Sequence, residues 1–299
     1  MRIVTRPDFD GIVCAVLLKD ALDITDPIRW IEPGDMQKGL VDIGSDEIIA
    51  NLPYDHRCAL WFDHHYSNRP DGPFEGAFNI APSAAGIVHK HYAKNLTGDY
   101  TELVRAADKI DSADLNMDEV LKPENYPYVL LSMTVSGQDP TGPEYWDALV
   151  DLLGKIPINR VLSNPEVKSR CRLVISQNSA FKEVLLNHTT VKGHVAITDL
   201  RSFCPVPSGN RFLVYSLFPE TVVSVKIRYH DTDPQKVIIG AGHSIFNRNC
   251  RVNIGQMLSK FEGGGHMGAG ACSFHISKLD AYLPKIMDIL LKNKPLKNG

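Results

Sequence analysis

Three side chains that commonly bind divalent metal ions, Asp63, His64 and His65, follow directly after an apolar run of the sequence. A second acidic pair, Asp8 and Asp10, also ends an apolar run, near the start of the chain. The carboxyl ends of parallel strands meet at one edge of a sheet, where open α/β folds bind their ligands. Carboxylate oxygens and imidazole nitrogens together suit Mn, Fe, Co or Zn better than the all-oxygen cage that calcium prefers. The spacing therefore predicts one polynuclear metal site and metal-assisted hydrolysis.

The elements that must position these side chains alternate between strand and helix in the first half of the chain. Short apolar runs bounded by Pro, Gly and Asp predict strands over residues 2–5, 28–31, 40–43 and 59–62. Helical spacing predicts helices over residues 11–21, 83–94, 101–107, 126–134 and 144–153, the second of them capped by Ser83. This order predicts an α/β fold with a doubly wound, mainly parallel sheet.

The residue pattern of the sequence changes after a predicted connecting helix at residues 165–187. Runs rich in Val and Ile predict strands over residues 191–198, 211–218, 222–229 and 236–239, and helices follow over residues 254–261 and 279–291. We therefore expect a second, smaller α/β domain with a mixed sheet. The predicted limits are residues 1–160 for the metal-binding catalytic domain, 161–188 for a helical linker and 189–299 for the substrate-binding domain.

Charge and composition narrow the class of substrate. The chain has 299 residues, with 32 Lys and Arg against 35 Asp and Glu, for a formal net charge of -3. This balance argues against the broad basic surface that long nucleic acid requires. The six cysteines lie far apart and form no zinc-ribbon pair, and the apolar runs are shorter than the ~20 residues that span a bilayer. We expect a cytoplasmic protein with no membrane partner. Whether two copies form a homodimer is left open by the sequence.

The order of these motifs resembles the DHH superfamily of phosphoesterases. Asp8 and Asp10 before a glycine, the lone Asp42, the triplet at 63–65 and the acidic pair at 108 and 111 occur in that superfamily's order. The run Gly263, Gly264, Gly265 and His266 resembles the glycine-rich substrate loop of the DHH-associated second domain. The resemblance covers nearly the whole chain and extends to RecJ-like, nanoRNase-like and exopolyphosphatase-related proteins.

The resemblance implies a pair of divalent ions, above all Mn²⁺, with Mg²⁺ or Co²⁺ as alternatives. Asp42 corresponds to the carboxylate that bridges the two ions, and Asp8 to a ligand of the first. The ligands implied for the second ion are Asp10, His64 and Asp108, with Asp111 as the rival of Asp108. His65 corresponds to the histidine that donates to the substrate, and Asp63 to a residue that orients its neighbours.

The second domain would hold the anionic end of the substrate. Consecutive glycines leave their backbone amides accessible, so the run at 263–265 would surround a phosphate, with His266 directed at the same group. Arg248, Arg251 and Asn253 resemble the family's polar anchors for a nucleotide. We therefore expect a short oligonucleotide, a nucleotide or another small phosphate ester as the substrate.

One residue departs from the family pattern. The superfamily usually carries a histidine four residues before the first aspartate, and this chain has Val4 there. An apolar side chain cannot bind a metal ion, so the first ion site loses a protein ligand, and three outcomes stay open: water fills the position, the ion binds weakly, or the site is lost. A binding protein without turnover and an exopolyphosphatase are therefore alternatives to a phosphoesterase of short oligonucleotides. A haloacid-dehalogenase-type phosphatase would also place two acids at 8 and 10, but Ile12 departs from its motif.

Overall fold

A computed structural model of the chain describes residues 1–137, 139 and 141–295. The chain divides into two compact units. Unit 1 contains Met1–Leu115 and Pro123–Arg172, and unit 2 contains Asn116–Lys122 and the residues from 173 onward. The domain limits expected from the sequence stay a prediction, and positions 138, 140 and 296–299 of those domains lie outside the described residues.

Unit 1 is built on a five-stranded sheet in which every pair of neighbours is parallel. Its strands are β1 (Arg2–Thr5), β2 (Arg29–Trp30), β3 (Glu47–Ala50), β4 (Leu60–Asp63) and β5 (Gly76–Phe78). Their order across the sheet is β2-β1-β3-β4-β5. The α/β class and the parallel sheet are thereby confirmed.

The strand predicted over residues 40–43 is wrong. These residues form no strand, and Leu40 is 70% exposed. The third strand is instead β3, in which all four residues are buried between β1 and β4. A central strand of a parallel sheet must be apolar on both faces, and Ile48 and Ile49 meet that requirement where the exposed segment does not. Asp42 therefore does not end a strand of the sheet.

Helices of unit 1 pack mainly around the helix that follows β1. The helices of this unit are α1 (Phe9–Leu22), α2 (Pro33–Gln37), α3 (Ala84–His91), α4 (Thr101–Asp111), α6 (Pro127–Ser132), α7 (Gly142–Leu153) and α8 (Ile158–Val161). Helix α1 is buried on nearly all sides between the sheet and its neighbours α3, α4 and α7. A second cluster, which includes Val4, Ile49, Trp61, Phe74 and Phe78, fills the space around the middle strands. The ends of these strands are thus fixed by packing on a rigid core.

Unit 2 contains a six-stranded mixed sheet in which only β7 and β8 are parallel. Its strands are β6 (Thr189–Lys192), β7 (Val195–Asp199), β8 (Val223–Tyr229), β9 (Lys236–His243), β10 (Gly263–Gly265) and β11 (Ala269–His275), in the order β10-β11-β9-β8-β7-β6. Helices α5 (Met117–Leu121), α10 (Leu213–Leu217), α11 (Ile254–Leu258) and α12 (Leu279–Lys292) belong to this unit. The second α/β unit with a mixed sheet is confirmed.

Two strands expected in the second half differ in the structure. The single strand predicted over residues 191–198 is wrong, because the chain turns at residues 193–194 and forms the antiparallel pair β6 and β7. The strand predicted over residues 211–218 is wrong, because this segment contains helix α10, whose residues Leu213, Val214 and Tyr215 are all buried. A short apolar run does not distinguish a buried helix from a buried strand. The connecting helix is confirmed as α9 (Pro165–His188), and the division between the two units falls within it, after Arg172. Among the described residues, no helix is both long and apolar enough to cross a membrane.

Candidate metal centre

Asp10, His64 and Asp111 converge at the carboxyl edge of the parallel sheet of unit 1. Asp10 lies in the first turn of α1, His64 directly follows β4, and Asp111 is the last residue of α4. One ligand atom of each lies within 4.8 Å of the others. The Nε2 atom of His64 is 3.2 Å from Asp111 Oδ2 and 3.9 Å from Asp10 Oδ2. These three side chains therefore have the spacing of ligands around one metal ion.

The hydrogen bonding of His64 directs a lone pair into this cluster. Its Nδ1 atom lies 2.9 Å from the carbonyl oxygen of Ala81, which can only accept, so Nδ1 carries the hydrogen. Nε2 is buried and has no hydrogen-bond partner among the described residues. A neutral imidazole of this tautomer presents an unshared electron pair to the two carboxylates. Three electron-pair donors that face one another favour a cation between them.

Asp10 is fixed by the start of a helix. Its two carboxylate oxygens accept hydrogen bonds from the backbone amides of Ala84 (2.9 Å) and Ala85 (2.8 Å), in the first turn of α3. Burial raises the pKa of Asp10 well above its ordinary value, and the charges of Asp111 and Asp8 raise it further. The helix amides orient the carboxylate but leave this repulsion in place, and a divalent cation would relieve it.

Asp8 is held by a separate set of contacts. Its Oδ1 accepts a hydrogen bond from the Gly11 amide at 2.8 Å, which makes it the N-cap of α1, and a second from Asn51 Nδ2 at 3.0 Å. Its Oδ2 lies 3.1 Å from Arg6 Nε. Burial raises the pKa of Asp8 to about 6, although the charge of Arg6 and the Gly11 hydrogen bond lower it. Asp8 therefore acts as a helix cap and as the partner of a guanidinium.

Asn51 is a site residue that the sequence analysis missed. It directly follows β3 and is 1% exposed, with a left-handed backbone (φ 56°) that asparagine tolerates. Its Oδ1 is buried without a hydrogen-bond partner among the described residues. The signal was the apolar run at 48–50, since a residue after a central strand lies at the same edge as those after β1 and β4.

Asp63 orients the two histidines that follow it. Its Oδ1 accepts hydrogen bonds from the His64 amide (2.8 Å) and from His65 Nδ1 (2.7 Å). Its Oδ2 accepts from Asn68 Nδ2 at 2.7 Å, and the side chain is fully buried. The hydrogen bond to Asp63 raises the pKa of His65 above its ordinary value, although burial lowers it. The contacts of Asp63 thus leave Nε2 of His65, whose side chain is 34% exposed, free to contact a substrate.

The remaining acids of the expected site are placed elsewhere. The Oδ1 of Asp108 accepts a hydrogen bond from the hydroxyl of Ser83 at 2.6 Å, and Ser83 caps α3, so Asp108 secures the start of that helix. Of the two acids of α4, the structure therefore brings Asp111 and not Asp108 into the cluster with Asp10 and His64. Asp42 has a 94% exposed side chain and pairs with Arg57. The structure does not bring Asp42 to the cluster, because it precedes β3 instead of following it.

Two arginines expected to bind substrate line a cavity of unit 2. Arg248 and Arg251, together with Lys292, border a cavity of about 490 Å³. The Nε atom of Arg248 donates to the carbonyl of Ile245. Asn253 has a structural task, since its side chain accepts the Gln256 amide and caps α11.

The glycine run forms a strand where a loop was expected. Gly263, Gly264 and Gly265 constitute β10, which pairs with β11 at the edge of the sheet. A Cβ atom at Gly265 would lie 2.4 Å from the carbonyl oxygen of Ala269, whereas one at Gly264 would meet nothing within 4 Å. His266 is exposed and its backbone amide bonds to Ala269. The glycines thus permit close strand pairing, and only the surface at Gly264 is open.

A solved structure of a phosphodiesterase resembles this chain over nearly the full length of both proteins. It is the pGpG-specific phosphodiesterase PggH from Vibrio cholerae, with a TM-score of 0.85 and 35% sequence identity over 98% of this chain and 99% of that one. No protein-family profile and no curated protein matches the sequence.

More distant structures share the fold. The DHH domain of a member of a family of ribosomal proteins has a TM-score of 0.58 at 14% identity, over 98% of this chain and 87% of that one. RecJ in complex with Mn²⁺ from Thermus thermophilus has a TM-score of 0.60 at 13% identity, over 99% of this chain and 53% of that one. At these identities the likeness concerns the fold alone.

Proposed function

The chain belongs to the DHH superfamily of phosphoesterases, and we propose that it is a metal-dependent phosphodiesterase that hydrolyses short linear dinucleotides, with pGpG as its substrate. The relative named for that activity matches both units at 35% identity. The observation that carries the proposal is the convergence of Asp10, His64 and Asp111 at the sheet edge, with the lone pair of His64 directed between the carboxylates. The near-neutral net charge agrees with a short substrate.

The proposed metal ligands are Asp10, His64 and Asp111. Their mixture of carboxylate and imidazole suits Mn²⁺, with Mg²⁺ or Co²⁺ as alternatives. A bound ion would supply positive charge at the phosphate and lower the pKa of a water molecule. The Ala84 and Ala85 amides hold Asp10, and the Ala81 carbonyl fixes the tautomer of His64.

His65 is the residue that we assign to the substrate. Asp63 holds the ring through Nδ1, so Nε2 is available to donate a hydrogen bond to a phosphoryl oxygen or to the leaving oxygen. In unit 2, Arg248 and Arg251 are the proposed contacts of the terminal phosphate, since guanidinium groups bind phosphate oxygens in pairs. A cytoplasmic location and a homodimer stay predictions.

A binding protein without turnover is the second candidate. It is favoured by Val4, which stands where the family pattern has a histidine, and by Asn51, which places a neutral amide beside Asp8. Such a protein would retain affinity for pGpG but release no product.

The test is a hydrolysis assay with Mn²⁺ in which the conversion of pGpG and water to two GMP molecules is followed by chromatography. Matched reactions with pApA, cyclic di-GMP, adenosine 3′,5′-bisphosphate and polyphosphate define the substrate class. We expect product from pGpG, none after chelation of the metal, and none from the Asp10→Asn or His64→Ala variants. Binding of pGpG without GMP release would support the second candidate, and release of phosphate from polyphosphate alone would refute both.

A further inference from the structure

We propose that this chain binds one divalent ion instead of an adjacent pair, and that the guanidinium of Arg6, held by Asp8, supplies the second positive charge to the substrate phosphate. The inference rests on the proposed function, because it concerns how the same site is built. It follows from the residues around Asp8, which do not fit a metal ion, and from those around Asp10, which do.

Strand β1, which precedes Asp8 in the chain, offers no metal ligand at Val4. Val4 lies on β1, is 0% exposed and packs in the hydrophobic cluster with Ile49 and Trp61. Its side chain has no atom that can bind a cation. A metal ion beside Asp8 would therefore lack the protein ligand that the family's histidine supplies.

The residue after β3 cannot bridge two ions. A carboxylate has two oxygens and can bind an ion with each, whereas the carboxamide of Asn51 has one oxygen and a nitrogen that only donates. That nitrogen donates to Asp8 Oδ1, which fixes the orientation of the amide. The buried Oδ1 of Asn51 has no hydrogen-bond donor among the described residues and is a neutral ligand atom for a single ion.

Three of the four lone-pair positions of Asp8 are already engaged. Oδ1 accepts from the Gly11 amide and from Asn51 Nδ2, and Oδ2 pairs with Arg6 Nε at 3.1 Å. A divalent ion bound to Asp8 would have only the remaining position on Oδ2, where it would meet the positive charge of Arg6 at short range. The Arg6–Asp8 pair therefore occupies, as a salt bridge, the place that a second cation would need.

Arg6 is suitably exposed for a substrate contact. Its side chain is 39% exposed, while its Nε is tied to Asp8, so the two terminal nitrogens remain for a phosphate. A guanidinium presents its donors in a planar fork that matches two phosphate oxygens.

The first experiment counts ions without reference to activity. Titration of the wild-type protein with Mn²⁺ in a calorimeter is expected to give one site, and electron paramagnetic resonance is expected to give the six-line spectrum of an isolated Mn²⁺ ion. Asp10→Asn should abolish this binding. Two sites, a spectrum of exchange-coupled ions, or no binding at all would overturn the inference. The number of bound Mn²⁺ ions tests this inference even if pGpG is not the substrate. Failure of the inference is therefore distinguishable from failure of the proposed function.

Variants test the assignments of single residues. Arg6→Gln should raise KM for pGpG at least tenfold with the ion count still at one, and Arg6→Lys should restore part of the loss. Unchanged kinetics of Arg6→Gln would overturn its role at the phosphate. The Val4→His, Asn51→Asp double variant should gain a second ion; a folded double variant that still binds one would refute the reason given for the missing site. If that variant does not fold, the wild-type count remains decisive.

Discussion

The side-chain amide of Asn51 donates to the carboxylate of Asp8 at 3.0 Å, which joins the end of β3 to the start of α1. The contact makes Asp8 part of the scaffold, since the same carboxylate caps α1 and pairs with Arg6. Asp10, two residues later, makes its contacts with α3 and His64 instead. Two aspartates of one motif thus have different contacts: one holds the backbone, and the other is the ligand that we propose for the ion.

The two acids of α4 give the most direct test of the ligand set. Asp111→Asn removes a charged oxygen that lies 3.2 Å from His64 Nε2, and we expect Mn²⁺ affinity to fall by at least about 100-fold. Asp108→Asn is the matched control. It weakens the bond to Ser83, so it should lower the free energy of unfolding by about 1 kcal/mol and leave Mn²⁺ affinity unchanged. Calorimetry and urea unfolding of both variants measure the two effects, and the reverse pattern would restore Asp108 as the ligand.

Asp63 is expected to act on catalysis through His65. In Asp63→Asn, the side-chain oxygen can still accept from His65, but the side-chain nitrogen then points at Asn68 Nδ2. Two hydrogen-bond donors therefore face each other. We expect kcat for pGpG to fall about 10- to 100-fold, with one Mn²⁺ ion still bound.

Asn68, which donates to Asp63, allows an experiment that restores the lost contact. The double variant Asp63→Asn, Asn68→Asp gives the new amide an acceptor again, and part of the lost kcat should return. Asn68→Ala alone should have a smaller effect than Asp63→Asn. Equal activity of all three variants and the wild type would show that the orientation of His65 does not matter for turnover.

Glu47 is expected to stabilise unit 1 in a pH-dependent way. Its side chain is 1% exposed and accepts hydrogen bonds from Arg29, Arg2 and the Gly44 amide. Burial raises the pKa of Glu47, but these donors lower it by more, so the folded-state pKa lies below the ordinary value of 4.5. The stabilisation is therefore complete above about pH 4.5 and is lost as the pH falls through the lower, folded-state pKa.

Glu47→Gln tests this sign. At pH 7 we expect the variant to lose about 3 kcal/mol of unfolding free energy, because two arginines lose their buried carboxylate. Chemical unfolding at pH 7, 5 and 3 should show a constant difference between wild type and variant at the two higher values and a smaller one at pH 3. A difference that grows in acid would contradict the lowered pKa.

The fold was predictable where a pattern had one physical meaning. The runs at 2–5 and 59–62 became β1 and β4, because short, mostly apolar segments suit parallel strands that are buried on both faces. The run at 40–43 was misleading, since Leu40 is apolar yet exposed, and its choice over Glu47–Ala50 moved the expected strand end from Asn51 to Asp42. A charged residue at the start of β3 hid that strand, although Glu47 is buried only because two arginines pair with it.

The site was predictable from residue types and not from their geometry. Asp10 and His64 were identified by the motifs, but Asp108 and Asp111 lie three residues apart on α4, and only the position of the helix decides which faces His64. Nothing in the sequence marks Arg6 as the partner of Asp8, because that pair depends on how the chain turns before α1.

The open surface at Gly264 allows a test of the anion-binding role of the glycine strand. A methyl group at Gly264 meets nothing within 4 Å, so Gly264→Ala should unfold like the wild type. Gly265 has φ 145° and a close carbonyl neighbour, so Gly265→Ala should cost about 1 to 3 kcal/mol. If the face at Gly264 contacts a substrate phosphate, the Gly264→Ala variant should raise KM for pGpG while its unfolding curve stays that of the wild type. An unchanged KM in this stable variant would remove Gly264 from the substrate contacts, because the methyl group has no other neighbour through which to act.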